Sequence, residues 1–364
     1  MSTGTWVLGV DSGGSGLRIA LGTAPGASGG GRVAGGVTSG DPVPVGPDGI
    51  DAAHLLERLV PAAEALLERA GAGRLAAVAV GAAGMATLGD AVRATLPEAL
   101  RHSLGVRRLA LAADAVTAYA GALGQRPGAV VAAGTGLIAV GTDLSRWRRA
   151  DGWGHLLGDC GGGAWIGRAG LEAALRAHDG RRGGSTALLA RLEAVFGPPA
   201  TLPGRLYPRT DRPAVLASFA PEVGRCAAEG DPVSAGILAR AARHIAEAAA
   251  AVCPREGNGG TDGDDGTGGA GDTRGHGGAS GGGPGGGGGE VALTGGLFGM
   301  GDPLLVPLRA ELAAQLPHAR RVPAAGDPLD GALAVAGALA TGTLRLPREP
   351  GMLETITPGP TTRT

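Results

Sequence analysis

Lysine is missing altogether: every one of the 32 Lys-or-Arg positions is arginine. Schiff-base and pyridoxal chemistry, the P-loop NTPase mechanism and the protein-kinase mechanism each depend on a particular lysine, so all three are excluded. Aromatic residues make up only 2% of the chain, so Leu, Val and Ala must fill a core drawn from a hydrophobic fraction of 43%. Cysteine is scarce too. Cys160, Cys226 and Cys253 lie far apart, with no CxxC pair and no histidine cluster at zinc spacing. Their odd number fits a reducing cytosol better than a disulfide framework. No charge of one sign dominates, because 32 basic and 33 acidic residues leave a net charge of -1. Such a chain has no global positive field to draw it to nucleic acid or a membrane surface. Met1 to Val10 lacks the basic segment and apolar run of a signal peptide, and no window reaches the ~18 uninterrupted apolar residues of a membrane helix. These absences predict a cytoplasmic protein with no nucleic-acid or membrane partner.

Glycine is what the chain has in excess, with 72 residues unevenly spread. Gly257 to Gly289 is a low-complexity run ending in five consecutive glycines, which predicts a flexible insertion because it has too little apolar surface to offset its ordering entropy. The buried-type strand Val291–Thr294 follows and is expected to return to the preceding sheet. Beyond about Pro347 the chain is rich in Pro, Thr and Gly and is expected to fray. Elsewhere short apolar strands alternate with helical stretches. Trp6–Val10 and Leu17–Leu21 read as strands around a glycine turn; Ala129–Ala133 and Leu137–Val140 read as a second such pair. Leu75–Val80 and Leu109–Ala113 read as further strands. Helical spacing runs from Ala52 to Ala70, with Gly71 as its C-cap, and from Ala115 to Leu123 behind Asp114 in an N-cap position. The segments 164–178, 186–196, 232–252 and 330–340 also read as helices. This alternation predicts an α/β fold. The length of 364 residues suggests about two domains, placed at 1–125 and 126–346, with the helix near 330–342 able to pack back on the first.

The two hairpins resemble each other. Gly14-Ser-Gly16 and Gly134-Thr-Gly136 stand about 120 residues apart, each between apolar strands and each followed by Gly-Thr. Glycine turns flanked by hydroxyls suit phosphate, since backbone N–H groups approach closely and the hydroxyls add donors. Asp11 beside the first turn is placed to hold Mg²⁺, which favours one or two carboxylates plus phosphate oxygens. A Rossmann site is excluded, because its GxGxxG must open a helix and both turns here lead into strand-type sequence.

Gly9-Val-Asp-Ser-Gly-Gly-Ser15 resembles the first phosphate motif of the actin/hexokinase superfamily, Ala133-Gly-Thr-Gly136 the second, and Thr294-Gly-Gly-Leu297 the adenosine motif. Asp151-Gly-Trp-Gly-His-Leu-Leu-Gly-Asp159, with Gly161 and Trp165-Ile-Gly167, resembles the hallmark of the N-acetylglucosamine/glucosamine kinase branch of the BadF/BadG/BcrA/BcrD-type ATPase family. The resemblance implies two related actin-like (ribonuclease H-like) domains with a nucleotide and sugar cleft between them. It implies ATP and Mg²⁺ as cofactors and an amino sugar as substrate, phosphorylated at its 6-hydroxyl. Asp114 matches the catalytic aspartate that accepts the proton of that hydroxyl. Thr135, Gly136, Gly152 and Asp159 match sugar-contacting positions, joined by Trp153. Ser12, Gly13, Gly14, Ser15, Gly134 and Thr135 match the phosphate cradle, and Gly295, Gly296 and Leu297 the adenosine side. Assembly as a homodimer is compatible with the family.

Two departures from the pattern bear on the substrate. The family's Gly-Asp-Glu-Gly reads Gly158-Asp-Cys-Gly161 here, and its Asn-Pro reads Asp41-Pro42. Because a carboxylate suits a cationic amine better than an acetamide, Asp41 tilts the expectation toward glucosamine, with N-acetylglucosamine as the alternative. An activase-type ATPase, coupled to a partner protein through an iron–sulfur cluster, is the rival of a different class. Cys160 precedes Gly161, but no second nearby cysteine accompanies it.

Overall fold

The computed structural model describes residues 5–13, 16–26, 31–41, 43–46, 49–255 and 289–357. Nearly all of the glycine-rich insertion and the turn residues Gly14 and Ser15 lie outside that set.

Strand β1 (Trp6–Gly13) turns back into β2 (Gly16–Thr23) and then β3 (Val33–Ser39), an antiparallel meander. A small hairpin, β4 (Val45–Gly46) with β5 (Gly49–Ile50), leads to α1 (Ala52–Ala70). The Asp51 side chain caps α1 by accepting from the His54 N–H at 2.9 Å, and left-handed Gly71 ends it. Leu55, Leu59, Ala63 and Leu66 on its inner face are buried against the sheet. Strand β6 (Leu75–Ala82) then pairs parallel to β1. Helices α2 (Met85–Leu88) and α3 (Asp90–Leu104) precede β7 (Leu109–Ala113), which is parallel to β6 and runs straight into α4 (Asp114–Leu123).

The second half repeats this plan. Strands β8 (Gly128–Ala133), β9 (Leu137–Thr142) and β10 (Trp147–Asp151) form the meander. Six helices follow: α5 (Gly163–His178), α6 (Thr186–Phe196), α7 (Leu202–Leu206), α8 (Arg212–Ala217), α9 (Ala220–Ala228) and α10 (Pro232–Val252). Strand β11 (Glu290–Thr294) does return to the sheet, parallel to β8. Helix α11 (Asp302–Gln315), β12 (Arg320–Pro323) and α12 (Pro328–Thr341) complete the repeat, and β13 (Leu353–Ile356) closes the described chain.

The sheet orders make the duplication plain: β13-β7-β6-β1-β2-β3 in one and β10-β9-β8-β11-β12 in the other. Each half is a three-stranded meander plus two parallel strands, with a helix after the last strand. This is the actin-like two-domain plan. Both faces of the second sheet are covered, because Val130 points into the first hydrophobic core while Ala129 and Val131 point into the second. The helices that end each repeat, α4 and α12, cross between the sheets. A Cβ on Gly331 would stand 1.9 Å from the Thr117 carbonyl oxygen, and one on Gly121 would stand 2.0 Å from that of Asp327. Only glycine permits this approach.

Two expectations are corrected. The segment after Pro347 does not fray over its described part: β13 pairs antiparallel with β7, and the Ala113 N–H donates to the Met352 carbonyl at 2.9 Å. A composition of turn formers conceals the edge that Leu353, fully buried, fills. Asp114 is not an N-cap either. Ala113 holds that position, and among the described residues the Asp114 Oδ1 accepts from its neighbour, the Ala115 N–H at 2.9 Å.

Candidate active site

Parallel strands bring their carboxyl ends to one edge. Ser12 pairs with Ala82 and Ala82 with Ala113, so Asp11 on β1 and Asp114 just beyond β7 share that edge of the first sheet. Ligands of open α/β sheets bind there. Burial pushes the Asp114 carboxyl above the ordinary carboxylate range; the Ala115 N–H opposes the rise, and the negative charge of Asp11 adds to it. Arg149, on β10 of the second sheet, also acts on Asp114 and lowers it. Asp114 is therefore in electrostatic reach of groups from both halves.

Asp11 is pushed up by burial as well, against the pull of Arg18. Arg18 donates to Asp11 Oδ2 from Nη2 at 2.6 Å and Nε at 3.0 Å, and from Nη1 to Asp327 Oδ2 at 2.6 Å. Asp327 is the N-cap of α12. One guanidinium thus ties the first hairpin to the start of the crossing helix. Sequence reasoning did not single out Arg18 or Asp327, because nothing local signals a contact between positions so distant in the chain.

Asp11 suits Mg²⁺. No cluster of three or more His, Cys, Asp or Glu side chains occurs among the described residues, so a cation would depend on phosphate oxygens and water for most of its ligands. Asp11 Oδ1 has no hydrogen-bond partner among the described residues and can supply the one carboxylate oxygen such an ion uses.

The second glycine turn rests on the start of α5. The Gly163 and Ala164 N–H groups donate to the carbonyls of Gly134 and Thr135 at 2.9 and 2.8 Å. Asp159 lies against this turn, its Oδ2 only 2.4 Å from where a Cβ on Gly136 would stand. Its Oδ1 accepts from the Gly154 N–H at 3.1 Å, and burial raises its carboxyl above the ordinary range. The run from Asp151 to Asp159 therefore folds back on itself. Asp151 is the clamp: its two oxygens accept from the N–H groups of Asp159 at 2.5 Å and Cys160 at 2.8 Å. Asp151 and Asp159 both hold positive φ, 62° and 54°, a conformation that non-glycine residues keep only when their surroundings enforce it. Asp151 opens the sequence motif, yet its role as clamp is visible only in three dimensions. Arg149 donates to the Gly152 carbonyl at 2.7 Å and stacks 4.7 Å above the Trp153 ring, which is 66% exposed.

Gly295, at φ 106°, brings the chain after β11 against the end of β8, where a Cβ would lie 2.2 Å from the Ala133 carbonyl oxygen. Gly296 and Leu297 follow in a short 3₁₀ turn. The Leu297 side chain is buried in the second core, so only its backbone is free to face a nucleotide. Asp41 is the expected residue that stands apart. Its side chain is 82% exposed, and its carboxylate pairs with the Arg58 guanidinium at 3.3 Å. It lies beside the first hairpin, because a Cβ on Gly16 would collide with the Ser39 carbonyl.

Among known proteins, a glucokinase of the ROK family from Streptomyces griseus, solved with glucose and AMPPNP, superposes with a TM-score of 0.50 at 18% identity, over 91% of this chain and 98% of that one. A Chromobacterium violaceum structure assigned as an N-acetylglucosamine kinase is 26% identical, with a TM-score of 0.65, over 93% of this chain and all of that one. An N-acetylmuramic acid/N-acetylglucosamine kinase from Clostridium acetobutylicum is 34% identical over 152 residues, 41% of this chain. That match spans about half, 49%, of the curated relative's own length. The family model described as the BadF/BadG/BcrA/BcrD ATPase family matches residues 8–276, well over half of the sequence. The chain belongs to the BadF/BadG/BcrA/BcrD ATPase family.

Proposed function

We propose that this protein transfers the γ-phosphoryl group of ATP to the 6-hydroxyl of an amino sugar. The observation that carries the reading is Asp114, a half-buried carboxylate at the edge where both halves meet, with Asp11 beside it and Arg149 acting from the other sheet. Asp114 takes the proton of the sugar hydroxyl as that oxygen bonds to phosphorus and ADP leaves. Thr135, Gly136, Gly152, Trp153 and Asp159 hold the sugar. Ser12, Gly13, Gly14, Ser15 and Gly134 hold the phosphates, and the backbone of Gly295, Gly296 and Leu297 faces the adenosine. Mg²⁺ on Asp11 would offset phosphate charge when bound. Domains 1–125 and 126–346 close over the cleft and exclude water, which limits futile hydrolysis of ATP.

N-Acetylglucosamine is the substrate that fits best. The case for glucosamine needs a free carboxylate at Asp41, and that carboxylate is paired with the Arg58 guanidinium at 3.3 Å. Relatives from Clostridium acetobutylicum and Chromobacterium violaceum carry N-acetylglucosamine kinase names. A coupled ADP-release assay over a panel of sugars tests the proposal, and the expected result is release that depends on N-acetylglucosamine. Vigorous ATPase activity that no sugar stimulates would sink it. Asp41→Asn is expected to alter KM for glucosamine and N-acetylglucosamine alike. A rise confined to glucosamine would restore Asp41 as an amine contact.

A further inference from the structure

A cavity of about 470 Å³ opens at the opposite edge of the first sheet, where β1 and β6 begin. Trp6 and Leu75 line it together with Gly105, at the end of α3, and three arginines, Arg74, Arg107 and Arg108. No lining residue is acidic, and none of the three guanidiniums has a carboxylate within ion-pair distance among the described residues. Three like charges around one concavity repel each other and raise the local concentration of anions.

Helix capping explains part of the cluster. Arg74 donates to the Gly105 carbonyl at 3.4 Å, and Arg108 to the Ala340 carbonyl, in the last turn of α12, at 2.5 Å. Positive charge is favourable at such helix ends. Each contact uses one of the five N–H groups of a guanidinium. Arg107 has no hydrogen-bond partner among the described residues, so capping leaves it without a role.

We propose that this cavity is a second ligand site, distinct from the catalytic cleft, for a small phosphate monoester. Guanidinium forks match phosphate geometry, Trp6 supplies an apolar wall for the attached organic group, and the volume lies within the range of small-molecule pockets. The site stands independently of the sugar-kinase reading, because it uses none of the cleft residues.

The test is isothermal titration of the full chain, at constant ionic strength, with inorganic phosphate, a hexose 6-phosphate and AMP as separate probes. Saturable binding of one equivalent is expected, tighter for whichever ester fills the apolar wall. Arg107→Gln should weaken it about tenfold, the scale of one charge-assisted hydrogen bond, and Arg74→Gln/Arg107→Gln further, with melting temperature unchanged. Repeating the titration with AMPPNP present separates the sites. Binding that the double variant retains, or that AMPPNP abolishes in the unaltered chain, would overturn the proposal by placing the anion elsewhere. No titration uses turnover, so the site can fail while the kinase stands, and the reverse.

Discussion

Asp114 is costly to the fold for the reason that makes it useful. Burial raises its pKa above the unfolded value, so between the two values the folded state holds a proton that the unfolded state has already lost. Stability therefore declines as pH rises from the unfolded carboxylate value toward the raised folded one, and the penalty is complete above the latter. Asp114→Asn removes that charge. Its melting temperature at pH 7 should exceed that of the unaltered chain, while kcat falls by about 10² or more, the scale of losing a general base. Scanning calorimetry and the ADP-release assay check the two halves of this expectation. A substituted enzyme with near-normal turnover would remove Asp114 from the mechanism. The same shift places the acid limb of the pH–rate profile above the ordinary carboxylate range, since only the ionised form accepts a proton.

At the scale of elements, two contacts that local sequence does not announce hold the site in place. The first is the crossing of α4 and α12. Gly331→Ala should destabilise the protein by about 1–3 kcal/mol, because its Cβ would meet the Thr117 carbonyl at 1.9 Å and force the helices apart. Gly204→Ala, in α7 with open space around it, is the control and should be neutral or slightly stabilising. Urea midpoints distinguish them, and equal shifts would show that the crossing relaxes. The second contact is β13. Ending the chain before Met352 removes that strand's ladder to β7, the Met352 carbonyl that accepts from the Ala113 N–H and the Arg93–Glu354 ion pair at 2.7 Å. A loss of roughly 2–4 kcal/mol is expected from the hydrogen bonds and the burial of Leu353. Turnover should fall with it, since β7 leads straight into Asp114. A truncated chain with an unchanged melting temperature would return this strand to the status of a tail.

For the whole molecule, the insertion and the duplication make opposite demands on the chain. Gly289 lies against Cys253 and Pro254, its Cβ position 3.1 Å from the Cys253 sulfur, so the two ends of the insertion already meet. Replacing 257–288 with a short linker should leave the melting temperature and the sugar-dependent ADP release unchanged, because loop-closure cost varies by only about 0.6 kcal/mol per doubling of length. A marked drop in either would show that the segment packs on the domains.

The hairpins, the helix of 52–70 and the long helix of 232–252 could be read from the chain because apolar spacing and caps act over a few residues. Helix α3 was missed. Its inward positions, Val92, Leu96 and Leu100, are interrupted by Pro97, and a proline weakens any helical signal. Sequence alone determined the lysine-free chemistry, the two glycine turns, the Asp114 and Asp159 motifs and the order in which they arrive. These are properties of residue type and short-range spacing. Only the tertiary structure decided that Arg18 joins Asp11 to Asp327, that Arg58 pairs with Asp41, that Asp151 clamps the loop of Asp159 and that Leu297 turns inward. Each depends on which strands and helices become neighbours. That choice is made by the burial of two sheets and a helix crossing, over separations at which local spacing carries no information.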